Sequence, residues 1–175
     1  MKKPQVSLIF VNYNTAPLLK KALKSVGAKG NLELEIIVVD NHSQDESCQL
    51  VKRQFPQVHL IKNQTNLGYG RALNQGARVA RGQFLFLLNP DIILAKDATA
   101  KLWQFCQKRP KIGALGPQLR GPNRQLQVSA YYHPPNLCNC FYEVFLIDWF
   151  FTIFFPTFRY PGQFMVDIKS LNKTQ

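Results

Sequence analysis

A chain of 175 residues, 46% of them apolar, has the material for one folded core, which argues against a disordered chain. Its formal charge of +12 suits nucleic acid, an anionic membrane surface or a nucleotide diphosphate as partner, and it is spread along the chain with no basic tail. Met1-Lys2-Lys3-Pro4 leads into only a short apolar run without a small-residue cleavage pattern, so the start reads as a strand and not as a signal peptide.

In chain order, Val6 to Val11 (VSLIFV) is a near-continuous apolar run with β-branched residues, the mark of a strand buried on both faces. Thr15 is placed to cap the helix that follows, Pro17 fits its first turn, and Leu18, Leu19, Ala22, Leu23 and Val26 fall on its inner face, with closure near Gly27 to Gly30. Ile36 to Val39 repeats the buried-strand pattern and stops at Asp40-Asn41-His42-Ser43, before a second helix over 45–54. Val58 to Ile61 reads as a third strand. Asn66-Leu67-Gly68-Tyr69-Gly70 opens a helix whose inner face is Ala72, Leu73, Gly76, Ala77 and Ala80. Gln83 to Leu88 is a fourth strand stopped by Asn89-Pro90-Asp91, Asp97 caps a helix through Cys106, Ile112 to Leu115 reads as a fifth strand, and 118–127 as a hairpin or exposed loop.

Strands alternating with helices imply right-handed crossovers and an α/β fold with a mostly parallel sheet covered by helices on both faces. Ligands of such sheets bind beyond the carboxyl ends of the strands. The polar clusters Asn12 to Asn14, Asp40 to Ser43 and Asn89 to Asp91 all stand there, directly after apolar strands.

Asp91 beside Asn89 is placed to hold a hard divalent cation with a diphosphate completing its shell, although Asn-Pro-Asp is also good turn chemistry. Asp40 suits an acceptor for a base N–H or a ribose hydroxyl, and equally a turn or helix cap. Around Gly68 and Gly70 a backbone can approach a ligand closely, with Arg71 available to phosphate. The glycines fit neither G-x-G-x-x-G nor G-x-x-x-x-G-K-[ST]. His42, His59 and His133 share no ligand spacing, and Cys138-x-Cys140 has no second pair at zinc spacing, so with Cys48 and Cys106 these read as idle thiols of a chain made in the reducing cytosol.

Together, VSLIFVNYN, LEIIVVDNHSQD, NLGYGRALNQGARVARG and QFLFLLNPDI resemble glycosyltransferase family two, in the subgroup similar to rhamnosyltransferases, over roughly residues 5–135. The resemblance implies a GT-A type nucleotide-diphospho-sugar transferase fold. It assigns Asn12, Tyr13 and Asn14 to the donor pocket, Asp40, Asn41 and Ser43 to the base and ribose loop, and Asn66, Gly68, Arg71 and Asn74 to the sugar-diphosphate channel. The family's D-x-D motif corresponds to Asn89-Pro90-Asp91, with Asp91 the ligand of Mg2+ or Mn2+. The implied reaction is inverting transfer of a sugar from a UDP- or dTDP-linked donor to a hydroxyl of a glycan or lipid-linked acceptor.

The same resemblance divides the chain into a nucleotide-sugar-binding domain at 1–135 and an aromatic-rich helical segment with the incomplete start of an acceptor-binding part at 136–175. Family members continue into a segment with an acidic pair that includes the general base, whereas PGQFMVDIKSLNKTQ approaches that segment and stops. The expectation is donor binding with slow transfer by this chain alone, and the alternative is a truncated, non-catalytic nucleotide-sugar-binding protein. Residues 137–158, too charged for a span, suit peripheral contact with the inner face of a membrane from the cytoplasm. Nucleic acid is excluded as a partner because the aromatics cluster away from the lysines.

Overall fold

A computed structural model describes residues 3–26, 32–121, 123 and 125. The chain divides into two compact units, Met1–Gly113 and Ala114–Gln175. The first holds β1 (Val6–Asn12), α1 (Ala16–Ser25), β2 (Leu34–Asp40), α2 (Ser47–Gln54), β3 (His59–Lys62), α3 (Tyr69–Val79), β4 (Phe84–Leu88) and α4 (Ala98–Gln107). In the second, the Gly121 N–H donates to the Gln125 carbonyl at 3.0 Å within the expected 118–127 loop.

The four strands form one parallel sheet in the order β3-β2-β1-β4. The apolar runs explain the centre: every residue of β1 is buried, because helices cover both of its faces. On one face Val6, Leu8, Phe10, Ile36 and Val38 pack with Leu19, Ala22 and Leu23 of α1 and Leu50 and Val51 of α2, joined by Trp103 of α4. On the other, Ile9, Val11, Ile37 and Val39 meet Ala72, with Leu73 and Ala77 of α3 alongside. Gly76 lets α3 lie this close, since a Cβ there would stand 2.5 Å from Ile9 Cγ2.

Several local expectations change. Leu18 points outward at 42% exposure, because the phase of α1 is set by Leu19, Ala22 and Leu23. Thr15 does not cap α1, since its hydroxyl donates to Asn12 Oδ1 at 2.6 Å. β3 begins one residue late because the Val58 N–H is spent on the Phe55 carbonyl at 2.9 Å. Among the described residues β4 is covered on one face only, with Leu85 and Leu87 at 44% and 51% exposure. Asp97 stands before α4 with φ 64° and forms no side-chain cap. Residues 112–115 are not a strand, as Gly113 interrupts the run and the Ile112 N–H turns back to the Arg109 carbonyl at 3.0 Å. The closure of α1 at 27–30, His133, Cys138, Cys140 and the segment 136–175 lie outside the described residues.

Candidate functional site

From β1 the chain moves outward through β2 and β3, then returns through α3 to place β4 on the other side of β1. This reversal makes β1 and β4 the topological switch point of the sheet, and the carboxyl ends of the strands at such a point are where open α/β sheets bind ligands. Asn12 is the last residue of β1 and lies in register with Asp40, the last of β2. Phe10 pairs with Leu88, so Asn89 leaves the sheet level with the end of β1.

The Asn12 side chain joins the loops. Its Nδ2 donates to Asp40 Oδ1 at 2.9 Å and to Ser43 Oγ at 3.0 Å, while its Oδ1 accepts from Thr15. Asp40 Oδ2 accepts the Ser43 N–H at 2.9 Å. Ser43 Oγ also accepts the Asn14 N–H at 2.9 Å, and Asn14 Oδ1 accepts the Gln44 N–H at 2.7 Å. With two donors already on its oxygen, the half-buried Ser43 hydroxyl finds no acceptor for its own proton among the described residues and is left to donate outward. Asn14 and His42 take the left-handed conformation, φ 53° and 71°, which turns each loop sharply at its strand end.

Asp40 is 1% exposed. Asn12, the Ser43 N–H and the Cys48 thiol take three of roughly four acceptor positions on its carboxylate, so it retains one for a ligand N–H. Burial, reinforced by a hydrogen bond to Asp40 and by its charge, pushes the nearby Cys48 thiol up to about 11. Cys48 is therefore a neutral thiol at physiological pH and no nucleophile.

A second cluster involves the segment before α3. Buried Asn41 donates from Nδ2 to Asn66 Oδ1 at 2.6 Å, and its Oδ1 accepts the Leu67 N–H at 2.9 Å and Asn63 Nδ2 at 3.2 Å. Asn66 Oδ1 also accepts the Gly68 N–H at 2.9 Å. Gly68 has φ 77° and ψ 161°, a backbone conformation that glycine alone adopts without strain. Arg71 and Asn74 stand exposed on the first turns of α3. Tyr13 is exposed beside Asn14.

The third element is the turn after β4, where Asn89 and Asp91 are both exposed and the Ile92 N–H closes onto the Asn89 carbonyl at 3.2 Å. Asp91 makes no hydrogen bond or ion pair among the described residues, and no group of three or more His, Cys, Asp or Glu there could hold a metal unaided. An unengaged hard carboxylate at a strand end fits a divalent cation whose remaining shell is phosphate and water.

Sequence reading had missed three residues that shape the site. Asp45 crosses between the loops, its Oδ2 accepting the Ala16 N–H at 2.9 Å and its Oδ1 the Ser47 N–H at 3.0 Å, so it serves the starts of α1 and α2 together, and α2 begins at Ser47 and not at 45. Burial alone would raise its pKa, but hydrogen bonds from Ser47 and the Ala16 amide outweigh burial and hold the carboxyl below its ordinary range. Asn63 and Gln75 tie β3 to α3. No periodicity marks them; their polarity at positions next to apolar runs was the available signal.

These features define a doubly wound α/β domain whose polar strand ends converge at the switch point between β1 and β4. The family model for glycosyl transferase family 2 matches residues 7–161, and the chain belongs to that family. An N-acetylglucosaminyl-diphospho-decaprenol L-rhamnosyltransferase of Mycobacterium tuberculosis is 27% identical over 138 residues, 73% of this chain and 45% of the relative. Succinoglycan biosynthesis protein ExoO of Rhizobium meliloti is 32% identical over 102 residues, 58% of this chain and 29% of the relative. Among solved structures, the mannosyltransferase PcManGT from Pyrobaculum calidifontis in complex with GDP-Man and Mn2+ matches with a TM-score of 0.58 at 25% identity, covering 70% of this chain and 37% of that one. S. aureus TarS 1–349 in complex with UDP-GlcNAc matches with a TM-score of 0.54 at 26% identity, covering 61% and 32%. The fold is GT-A type. The chain spans about 45% of the length of the rhamnosyltransferase relative.

Proposed function

We propose that this chain carries the donor-binding half of an inverting glycosyltransferase that moves a sugar from a nucleoside diphosphate to a hydroxyl acceptor in cell-envelope glycan synthesis. The observation that carries the reading is the convergence of polar strand ends at the switch point between β1 and β4, with the Asn12–Asp40–Ser43 cluster on one side and Asp91, unengaged among the described residues, on the other. A relative named as a rhamnosyltransferase and a structural neighbour solved with GDP-Man and Mn2+ support it.

In this reading the outward proton of Ser43 and the acceptor capacity of Asp40 hold ribose and base of a uridine or thymidine donor. Asn12, Tyr13, Asn14 and Asn41 shape the floor and rim of the same pocket, and Asn66, Gly68, Arg71 and Asn74 receive the sugar-diphosphate. Asp91, with Asn89 beside it, holds Mg2+ or Mn2+. When bound, the ion offsets the charge that develops on the leaving diphosphate. Attack by the acceptor hydroxyl oxygen on the far side of the anomeric carbon forms the glycosidic bond, breaks the bond to the diphosphate and inverts the centre, while the hydroxyl proton passes to a general base.

The acceptor is a glycan or lipid-linked hydroxyl, and we place the protein at the cytoplasmic face of a membrane through its aromatic segment at 137–158 and its charge of +12. No helix among the described residues is long and apolar enough to cross a membrane. Liposome flotation at low salt checks this placement: recovery with anionic vesicles supports it, and recovery only in the soluble fraction counts against it. The reaction itself is tested with radiolabelled UDP-, dTDP- and GDP-sugars, Mn2+ and a panel of glycan and polyprenyl-diphosphate acceptors. Label in an acceptor, abolished by Asp91→Ala, supports the reading; donors that neither bind nor transfer contradict it.

A further inference from the structure

Asn63 belongs to no predicted motif, yet it is buried at the end of β3, where the chain turns toward α3. Its backbone N–H donates to the Asp40 carbonyl at 2.9 Å, continuing the β2–β3 ladder one residue past the sheet. Its side-chain Nδ2 donates twice, to Asn41 Oδ1 at 3.2 Å and to Gln75 Oε1 at 2.8 Å. Both amide hydrogens are thus committed, one to the loop after β2 and one to the body of α3. Asn41 passes the constraint on, because the oxygen that accepts from Asn63 also accepts the Leu67 N–H, and its amide holds Asn66.

We infer that Asn63 is a positioning residue for the diphosphate end of the donor: it fixes the segment 66–70 and the start of α3 against the ends of β2 and β3. The inference rests on the donor-binding reading above and assigns a role that reading does not contain. No side chain caps α3, so the entry geometry of the helix depends on Asn41 and Asn63 from outside it, Asn63 gripping the helix through Gln75. Gly68 costs much backbone freedom to order and has no Cβ to hold it, so this segment gains most from an external clamp. The Asn12–Asp40–Ser43 cluster makes no hydrogen bond to the Asn63 side chain, and Asn41 keeps its bonds to Leu67 and Asn66 without it, so loosening the clamp leaves the hydrogen bonds of the base and ribose end in place.

That asymmetry gives the test. Asn63→Ala removes both donations, yet Asn41 Oδ1 keeps the Leu67 N–H and the half-buried Gln75 can turn to water, so the fold survives. Gln75→Ala cuts only the tie to α3 and is the milder second variant. Calorimetry on the full chain with UDP, dTDP and GDP, each in MnCl2, finds the preferred diphosphate, which is then compared with its free nucleoside. The expected result is a loss of about tenfold in diphosphate affinity for Asn63→Ala, the scale of one lost positioning hydrogen bond, with nucleoside affinity unchanged. Amide exchange at Leu67 and Gly68 should accelerate in parallel, a readout independent of any ligand. Equal losses for nucleoside and diphosphate, or unchanged exchange at those two amides, overturn the inference while leaving the donor-binding reading standing. No binding of any diphosphate by the unsubstituted chain overturns both.

Discussion

Asn12 and Asp40, the final residues of two neighbouring parallel strands, face each other in register and share a hydrogen bond of 2.9 Å in a fully buried setting. This bond makes two loops behave as one, since Asn12 also grips Ser43 and accepts from Thr15. Asn12→Ala removes a donor from a buried carboxylate, and an unsatisfied buried group costs about 1–3 kcal/mol. Urea unfolding should show a lower midpoint with an unchanged slope. An unaltered midpoint means that water replaces the amide without cost.

At the opposite edge of the sheet, Glu35 accepts from the Ser7 hydroxyl at 2.6 Å, from the Arg81 N–H at 2.8 Å and from Arg81 Nε at 2.8 Å. Burial raises the pKa of this carboxyl, but the Ser7 and Arg81 hydrogen bonds and the Arg81 charge outweigh it and hold the group below its ordinary value. The unfolded chain therefore binds the proton more readily. The stability Glu35 contributes is present above its unfolded pKa and is lost as pH falls through the lower, folded one. Unfolding midpoints measured from pH 7 down to about pH 3 should fall more steeply in the native chain than in Glu35→Gln. Parallel profiles contradict the assignment.

The contact of α3 with the sheet gives a third prediction. An added methyl at Gly76 meets Ile9 Cγ2 at 2.5 Å and Val39 Cγ2 at 3.2 Å, both on packed strands that cannot retreat. Gly76→Ala gains helix propensity worth up to ~1 kcal/mol, while overpacking costs about 1–3 kcal/mol. The net effect is destabilising, with α3 displaced outward. A thermal midpoint raised by the substitution would show that the helix has room to shift.

The central strands were legible because VSLIFV and IIVV admit no polar face, and a segment with no polar face must be covered on both sides. Their ends were legible for the same reason: Asn12 and Asp40 are where the apolar run breaks. Less visible was what those ends do to each other. Apart from the local Asp45–Ser47 bond, the side-chain partners of Asp45, Asn63 and Gln75 lie 12 to 29 residues away, and pairing at that range leaves no periodic trace. Thr15 shows the same limit from the other side. Its local pattern fits a cap, but the Asn12 amide oxygen nearby takes its hydroxyl proton.

The account rests on metal-assisted donor binding at the carboxyl ends of β1 and β4, and calorimetric titration of UDP-, dTDP- and GDP-sugars into the chain tests it most directly. Asp91 is exposed and unengaged among the described residues, so Asp91→Ala should leave folding intact and remove the cation's protein anchor. The account predicts measurable donor binding in MnCl2 that is lost in excess chelator and lost equally in Asp91→Ala. Affinity that is the same with Mn2+, with chelator and in Asp91→Ala would contradict it.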